Sequence, residues 1–90
     1  MRLRHNKRLS QVSISSHGGT SYVTYQSSSG KIIDIQRTVV ASEHEGQGIG
    51  ALLIGYVLEF AQDKGYKVIT NCPYARVFFR FYPEYQRMQK

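Results

Sequence analysis

Three glycines, Gly46, Gly48 and Gly50, stand in the stretch Glu43-His44-Glu45-Gly46-Gln47-Gly48-Ile49-Gly50-Ala51-Leu52-Leu53, between a β-rich first half and a helical second half. A glycine-rich turn that opens a helix leaves backbone N–H groups unpaired at the positive end of the helix dipole. Such a turn holds an anion, phosphate above all. The second reactive group is Cys72, the only cysteine, followed by Pro73 and, one helical turn on, by Arg76. A thiol at the carboxyl end of a strand and the start of a helix, with a guanidinium nearby, is in a position that favours the thiolate. The remaining polar candidates are weaker. Glu43 and His44 flank the glycine turn and read as solvated; His5 and His17 have no partner in sequence and receive no role. Arg76 and Arg80 share one side of a helix and read as a basic face that could also meet phosphates.

The elements around these residues follow from periodicity. Arg2, Arg4, Lys7 and Arg8 suggest a mobile basic arm over residues 1–8, ahead of a single domain over 9–90. Leu9 to Ser15 alternates as a half-buried strand, His17-Gly18-Gly19-Thr20 turns a hairpin, and Tyr22-Val23-Thr24-Tyr25 pairs back. Lys31 to Val40 reads as the longest and central strand, with Ile33, Ile35, Arg37 and Val39 on one face. Ile49, Leu52, Leu53, Tyr56, Val57, Phe60 and Ala61 recur at the spacing of one helical stripe, and Lys64-Gly65 closes that helix. Tyr66 to Asn71 is a short strand, set parallel to Lys31–Val40 by a right-handed crossover. A second helix starts at Pro73, with Tyr74, Val77, Phe78 and Phe81 as its buried stripe, and Tyr82 leaves it ahead of Pro83. The tail adds at most one polar turn. The fold class is α/β (α+β): a mixed sheet of an antiparallel N-terminal meander plus one parallel strand, with two main helices.

Composition narrows the function. Twelve Lys and Arg against six Asp and Glu give a net charge of +6, which favours anionic partners. One cysteine and three scattered histidines supply neither a disulfide framework nor zinc-ligand spacing, so no metal is expected. No apolar run approaches a membrane span, and the start lacks an apolar signal core. A cytoplasmic protein without a membrane partner is therefore expected. Nucleic acid stays open on charge alone, although most aromatics follow the apolar stripes and do not interleave with the basic residues as a stacking surface requires.

Three phosphate-binding patterns compete for the glycine turn. A nucleoside-triphosphatase loop needs G-x-x-x-x-G-K-S/T, and no such Lys is present. Gly46, Gly48 and Ala51 fit the dinucleotide pattern G-x-G-x-x-G/A, but about 20 residues on that pattern needs an acidic residue. Val68-Ile69-Thr70-Asn71 occupies that place. The third pattern is Q/R-x-x-G-x-G/A following a strand that ends in Val. Val40-Ala41-Ser42-Glu43-His44-Glu45-Gly46-Gln47-Gly48-Ile49-Gly50 resembles this acyl-coenzyme A loop of the GNAT N-acetyltransferase superfamily. With Asn71-Cys72-Pro73-Tyr74-Ala75 and Tyr82-Pro83-Glu84-Tyr85, residues 20–86 resemble its short, single-domain YjdJ-like branch.

The resemblance implies binding of acetyl-CoA or CoA and transfer of acetyl to an amine, carried by a small molecule or a protein. It assigns the pyrophosphate to the backbone of Glu45, Gly46, Gln47, Gly48, Ile49, Gly50 and Ala51. The pantetheine amides go to Thr38, Val39 and Val40, at a strand that splays from its parallel neighbour. Cys72, with Arg76 nearby, lies beside the reacting thioester, where it could accept the acetyl group, donate a proton to the departing thiolate or pack against the sulfur. Three positions depart from the pattern: Glu45 replaces Gln or Arg, Arg37 replaces the branch's His, and Phe79 replaces the usual acidic Tyr. A non-catalytic CoA-binding or nucleic-acid-binding interaction module is the alternative.

Overall fold

The period-two pattern from Gln11 to Tyr25 directs Val12, Ile14, Ser21, Val23 and Tyr25 to one side, and all five are buried. The computed structural model describes all residues from Met1 to Lys90. Its strands are β1 (Arg2–Asn6), β2 (Gln11–Ser16), β3 (Gly19–Ser28), β4 (Ile32–Val39) and β5 (Lys67–Thr70), in spatial order β1-β2-β3-β4-β5. The first four are antiparallel to their neighbours and β5 runs parallel to β4, across the helix α1 (Ile49–Asp63). A second helix, α2 (Pro73–Phe81), and a 3-10 helix at Pro83–Met88 complete the chain. The fold is therefore the mixed antiparallel-plus-parallel sheet expected from the sequence. Helix α1 packs across β2, β3, β4 and β5, while α2 and the last 3-10 helix pack on α1. None of the residues Arg4, Ser13, Tyr22, Thr24, Arg37 and Ile69 on the opposite face of the sheet is buried.

Several expectations about placement are corrected. The basic stretch read as a mobile arm forms strand β1, because Leu3 and His5 pair with Ile14 and Val12 and so extend the sheet's apolar side. The central strand is β3, which is also the longest at 10 residues; β4 has 8. On α1, Ile54 and Leu58 are fully buried while Leu52 is 57% exposed. The sheet and α2 press on α1 from two directions, so its covered face is broader than one stripe and rotated away from Leu52. On α2, Ala75, Phe78 and Phe79 are buried, and Tyr74, Val77 and Phe81 are exposed. The tail is more than a polar turn: Met88 is buried, Lys90 N–H donates to Val68 C=O at 3.0 Å, and Gln89 bridges Val68, which covers part of the free edge of β5.

His5 is bound rather than free. Its Nε2 lies 2.6 Å from the Tyr25 hydroxyl and its Nδ1 3.3 Å from that of Tyr56, with the Phe60 ring edge-on at 4.6 Å. Lys7 and Lys64 stand over Phe60. Desolvation first, and the Lys7 charge second, hold the His5 pKa below its usual 6.5. Desolvation likewise raises that of Tyr25.

Two measurements test this packing. Ile54→Ala should cost about 2–5 kcal/mol in chemical denaturation, whereas Leu52→Ala should stay within about 0.5–1 kcal/mol. Because the unfolded chain binds the His5 proton more readily than the folded one, His5 contributes stability above pH 6.5 that is lost as pH falls through its lowered folded pKa. Denaturation of His5→Gln should show a flatter decline than the parent across that acid window.

Candidate functional site: a strand fork and a glycine turn

Strands β4 and β5 pair only from Ile32–Lys67 to Ile35–Thr70. At the end of this ladder the Thr70 hydroxyl donates to Ile35 C=O at 2.7 Å and accepts from Cys72 N–H at 2.9 Å. The side chain replaces the next ladder bond and turns the chain away from β4. From Arg37 to Val39, β4 keeps its β3 partner and has no strand on its other edge. That unpaired edge offers amide donors and acceptors to an extended ligand.

A β-bulge sits at the same point. Ile35 pairs with Tyr25 and Arg37 with Thr24, so Gln36 is the extra residue on β4. The bulge reverses the faces expected from strict alternation. Thr38 turns to the helical side opposite Val23 and is buried, while Arg37 joins Thr24 on the open face. The turned-in Thr38 hydroxyl lies 3.3 Å from Cys72 Sγ. Cys72 is 3% exposed and is the N-cap residue of α2, but its side chain makes no capping bond. Arg76 is exposed and reaches Asn71 Oδ1 at 3.5 Å.

The glycine turn follows a 3-10 helix at Ser42–His44. Gly48 is the N-cap of α1 with φ of +75°, a left-handed conformation that a side chain would strain. The N–H groups of Glu45, Gln47 and Leu52 bond to backbone carbonyls, whereas those of Gly46, Gly48, Ile49, Gly50 and Ala51 have no backbone partner. They border a cavity of about 200 Å³ whose walls include Val40, His44, Glu45 and Tyr74. Tyr74 also lines an apolar groove of about 620 Å³ along α2, with Ala51, Val77, Phe78, Phe81 and Tyr82. Five unpaired donors at a helix N-terminus suit a phosphate group. Glu45 is exposed and lines this same cavity beside the backbone donors.

His44, read from sequence as solvated, is 2% exposed. Its Nε2 lies 2.6 Å from Ser16 Oγ and its Nδ1 2.6 Å from Ser21 Oγ. Ser21 Oγ also accepts from Ala41 N–H at 2.8 Å and Ser16 Oγ from Gly18 N–H at 3.3 Å, so each hydroxyl joins a backbone N–H to one imidazole nitrogen. One ring nitrogen donates and the other accepts, and either tautomer satisfies both serines. The β2–β3 turn comes so close that a methyl on Gly18 would lie 2.5 Å from Glu43 Cβ. The imidazole thus ties the entrance of the glycine turn to β2 and β3.

Of the residues singled out in sequence, Val40, Glu45, Gly46, Gly48, Ile49, Gly50 and Ala51 meet at one cavity, from which Gln47 is absent because its side chain donates back to Glu43 C=O, and Thr38 and Cys72 meet at the fork. Arg76 stands apart on the surface, beside Asn71. Sequence reasoning missed Tyr74, whose helical phase resembled a core position, and His44, whose partners lie 28 and 23 residues away. Phe79 is buried at 3% exposure and brings no hydroxyl to the site. Replacing His44 by Ala should leave two hydroxyls without their partner and cost about 2–4 kcal/mol, read as a lowered denaturation midpoint.

Comparison with known proteins agrees with this architecture. The NMR solution structure of a GCN5-like protein from Staphylococcus aureus, described as an N-acetyltransferase, matches with a TM-score of 0.77 at 24% identity over 99% of this chain and 87% of the other. The crystal structure of a GNAT-family protein from Desulfovibrio desulfuricans, described as an acetyltransferase, matches with a TM-score of 0.61 at 17% identity over 82% of this chain and 52% of that one. At these identities the likeness speaks for the fold. No curated protein matches in sequence. The family model described as GCN5-related N-acetyl-transferase matches residues 11–88, from the first residue of β2 to the last of the final 3-10 helix, and the chain belongs to that family.

Proposed function

We propose that this chain binds acetyl-coenzyme A at the glycine turn and the strand fork, and that it transfers the acetyl group to an amine. The observation that carries the reading is the set of five unpartnered N–H groups at Gly46, Gly48, Ile49, Gly50 and Ala51. They would hold the pyrophosphate, aided by the α1 dipole; the N–H groups of Glu45 and Gln47, which the sequence reading included, are already taken by the Ser42 and His44 carbonyls. The free edge of β4 at Thr38 and Val39, with Val40 just beyond the strand, would pair with the pantetheine amides. The coenzyme supplies an activated acetyl thioester, the electrophile that an amine attacks.

The residues at the fork manage protons. Cys72 and Thr38 share a hydrogen bond at its base, where either group can hold a proton for the departing thiolate. Burial of Cys72 and its bond to Thr38 support this role over that of an exposed nucleophile. Arg76 stands on the flank of α2, where its charge would attract the coenzyme's phosphates. Because Phe79 lacks a hydroxyl, the proton-holding role falls to Cys72 and Thr38. The same absence also favours a second reading, a coenzyme-binding module without turnover.

Saturating acetyl-CoA is expected to raise Tm, by about 4–8 °C for each kcal/mol of binding linkage, and to shift the amides of Gly46 to Ala51. Absence of both effects would remove the coenzyme reading. Cys72→Ala should keep the Tm rise and lose about 10²-fold or more in acetyl transfer, with partial recovery in Cys72→Ser. Unchanged turnover in Cys72→Ala would remove the proton-holding role.

A further inference from the structure

The open side of the sheet presents a second feature, defined by strand register. Directly paired residues share a face. One row across it reads Asn6, Gln11, Thr24, Arg37; the next reads Arg4, Ser13, Tyr22, Val39; a third holds Arg2, Ser15 and Thr20. Three arginines therefore stand among uncharged neighbours, with Tyr22 half-buried between them. The acid on this face, Asp34, stands in the row next to that of Arg37, paired with Gln26 and Ile69 one residue before the last β4–β5 pair, on the closed side of the fork.

Arg37 holds the decisive place. It lies two residues beyond the last β4–β5 pair, on the strand whose outer edge is free, and it is exposed. The bulge at Gln36 puts it on the open face while sending its neighbour Thr38 inward to Cys72. The glycine turn lies on the other side, because His44 and Ala41 bind Ser21, whose side chain is buried toward the helices. A donor seated on that turn reaches the fork from the helical side. An acceptor must then approach from the open side, past Arg37.

We infer that the acceptor is an amine whose molecule also carries an anionic group, a carboxylate or phosphate, which Arg37 engages while the amine reaches the fork. This inference rests on the acetyl-transfer reading above. Arg37 offers a planar donor array suited to bidentate binding of such a group. Arg4, three strands from β4 at about 4.8 Å per strand, extends the positive field and attracts the ligand at longer range. A polycationic amine would meet like charge at Arg2, Arg4 and Arg37. The acceptor step balances without any further reagent: the ammonium group gives one proton to solvent, the free amine nitrogen forms the new C–N bond as the thioester C–S bond breaks, the thiolate takes the proton held at the fork, and the second amine proton returns through solvent to the fork group.

The test compares matched amines on the full chain: O-phosphoethanolamine, ethanolamine and putrescine, each titrated by NMR with and without saturating acetyl-CoA, with CoA release measured in parallel. O-phosphoethanolamine should shift the Thr24, Arg37 and Val39 amides, and Arg37→Gln should weaken its binding about tenfold while leaving the acetyl-CoA Tm rise intact. Arg37→Glu should reverse the preference in favour of putrescine. Putrescine binding as tightly as O-phosphoethanolamine to the parent chain would overturn the proposal. So would an Arg37→Gln variant that keeps O-phosphoethanolamine binding unchanged, or a single-stranded oligonucleotide that shifts these same amides at far lower concentration than O-phosphoethanolamine. Failure of acetyl-CoA to bind removes the coenzyme reading; the response of the Arg37 amide to O-phosphoethanolamine without acetyl-CoA still decides whether this face selects anions.

Discussion

The termination of the β4–β5 ladder is the constraint on which the rest of the site depends. Two strands that stay paired to their ends leave no backbone group for a ligand. Here the Thr70 hydroxyl takes the Ile35 carbonyl, the ladder stops after four pairs, and the chain leaves through Cys72 into α2. One side-chain bond thus opens the fork, frees one edge of β4, and places the Cys72 thiol at its base. The bulge at Gln36 does the complementary work on β4 by exchanging the faces of Arg37 and Thr38. Without it, the arginine would face the helices and the threonine hydroxyl would face solvent.

The glycine turn depends on a different support. A backbone cradle binds an anion well only if its N–H groups already point inward, since ordering a loose loop costs about 1–2 kcal/mol per residue. His44 supplies that order from below. Its two bonds, to Ser16 and Ser21, fasten the 3-10 helix before the turn to the β2–β3 hairpin. A buried imidazole satisfied at both nitrogens is rigid, because losing either partner leaves a polar atom unsolvated. Tyr74 closes the other wall of the same small cavity from α2.

The final segment explains how so short a chain remains a closed fold. Tyr85 donates to Glu59 at 2.8 Å, Lys67 donates to Arg87 C=O at 2.8 Å, and Met88 enters the core. These contacts tie the C-terminal 3-10 helix to α1 and β5. They offset the small surface-to-volume advantage of a chain of this size, for which every buried side chain matters.

The sequence by itself determined the order of the main elements, the hairpin, the crossover that makes β5 parallel, and the glycine turn ahead of α1. Each is a local property: alternation, helical spacing, a proline at a helix start, glycines ahead of an apolar stripe. Tertiary structure alone decided which faces those elements present. The stripes read for α1 and α2 missed Ile54, Leu58 and Phe79, because burial depends on which neighbours arrive, and a period does not say from how many sides. The basic start became β1 because an open edge of the sheet was there to pair with it. His44 and Tyr74 entered the site, and Arg37 and Thr38 exchanged faces, through one unpaired residue and through partners far away in the chain. Spacing along a sequence carries no record of such contacts, since they exist only once the strands have found their register.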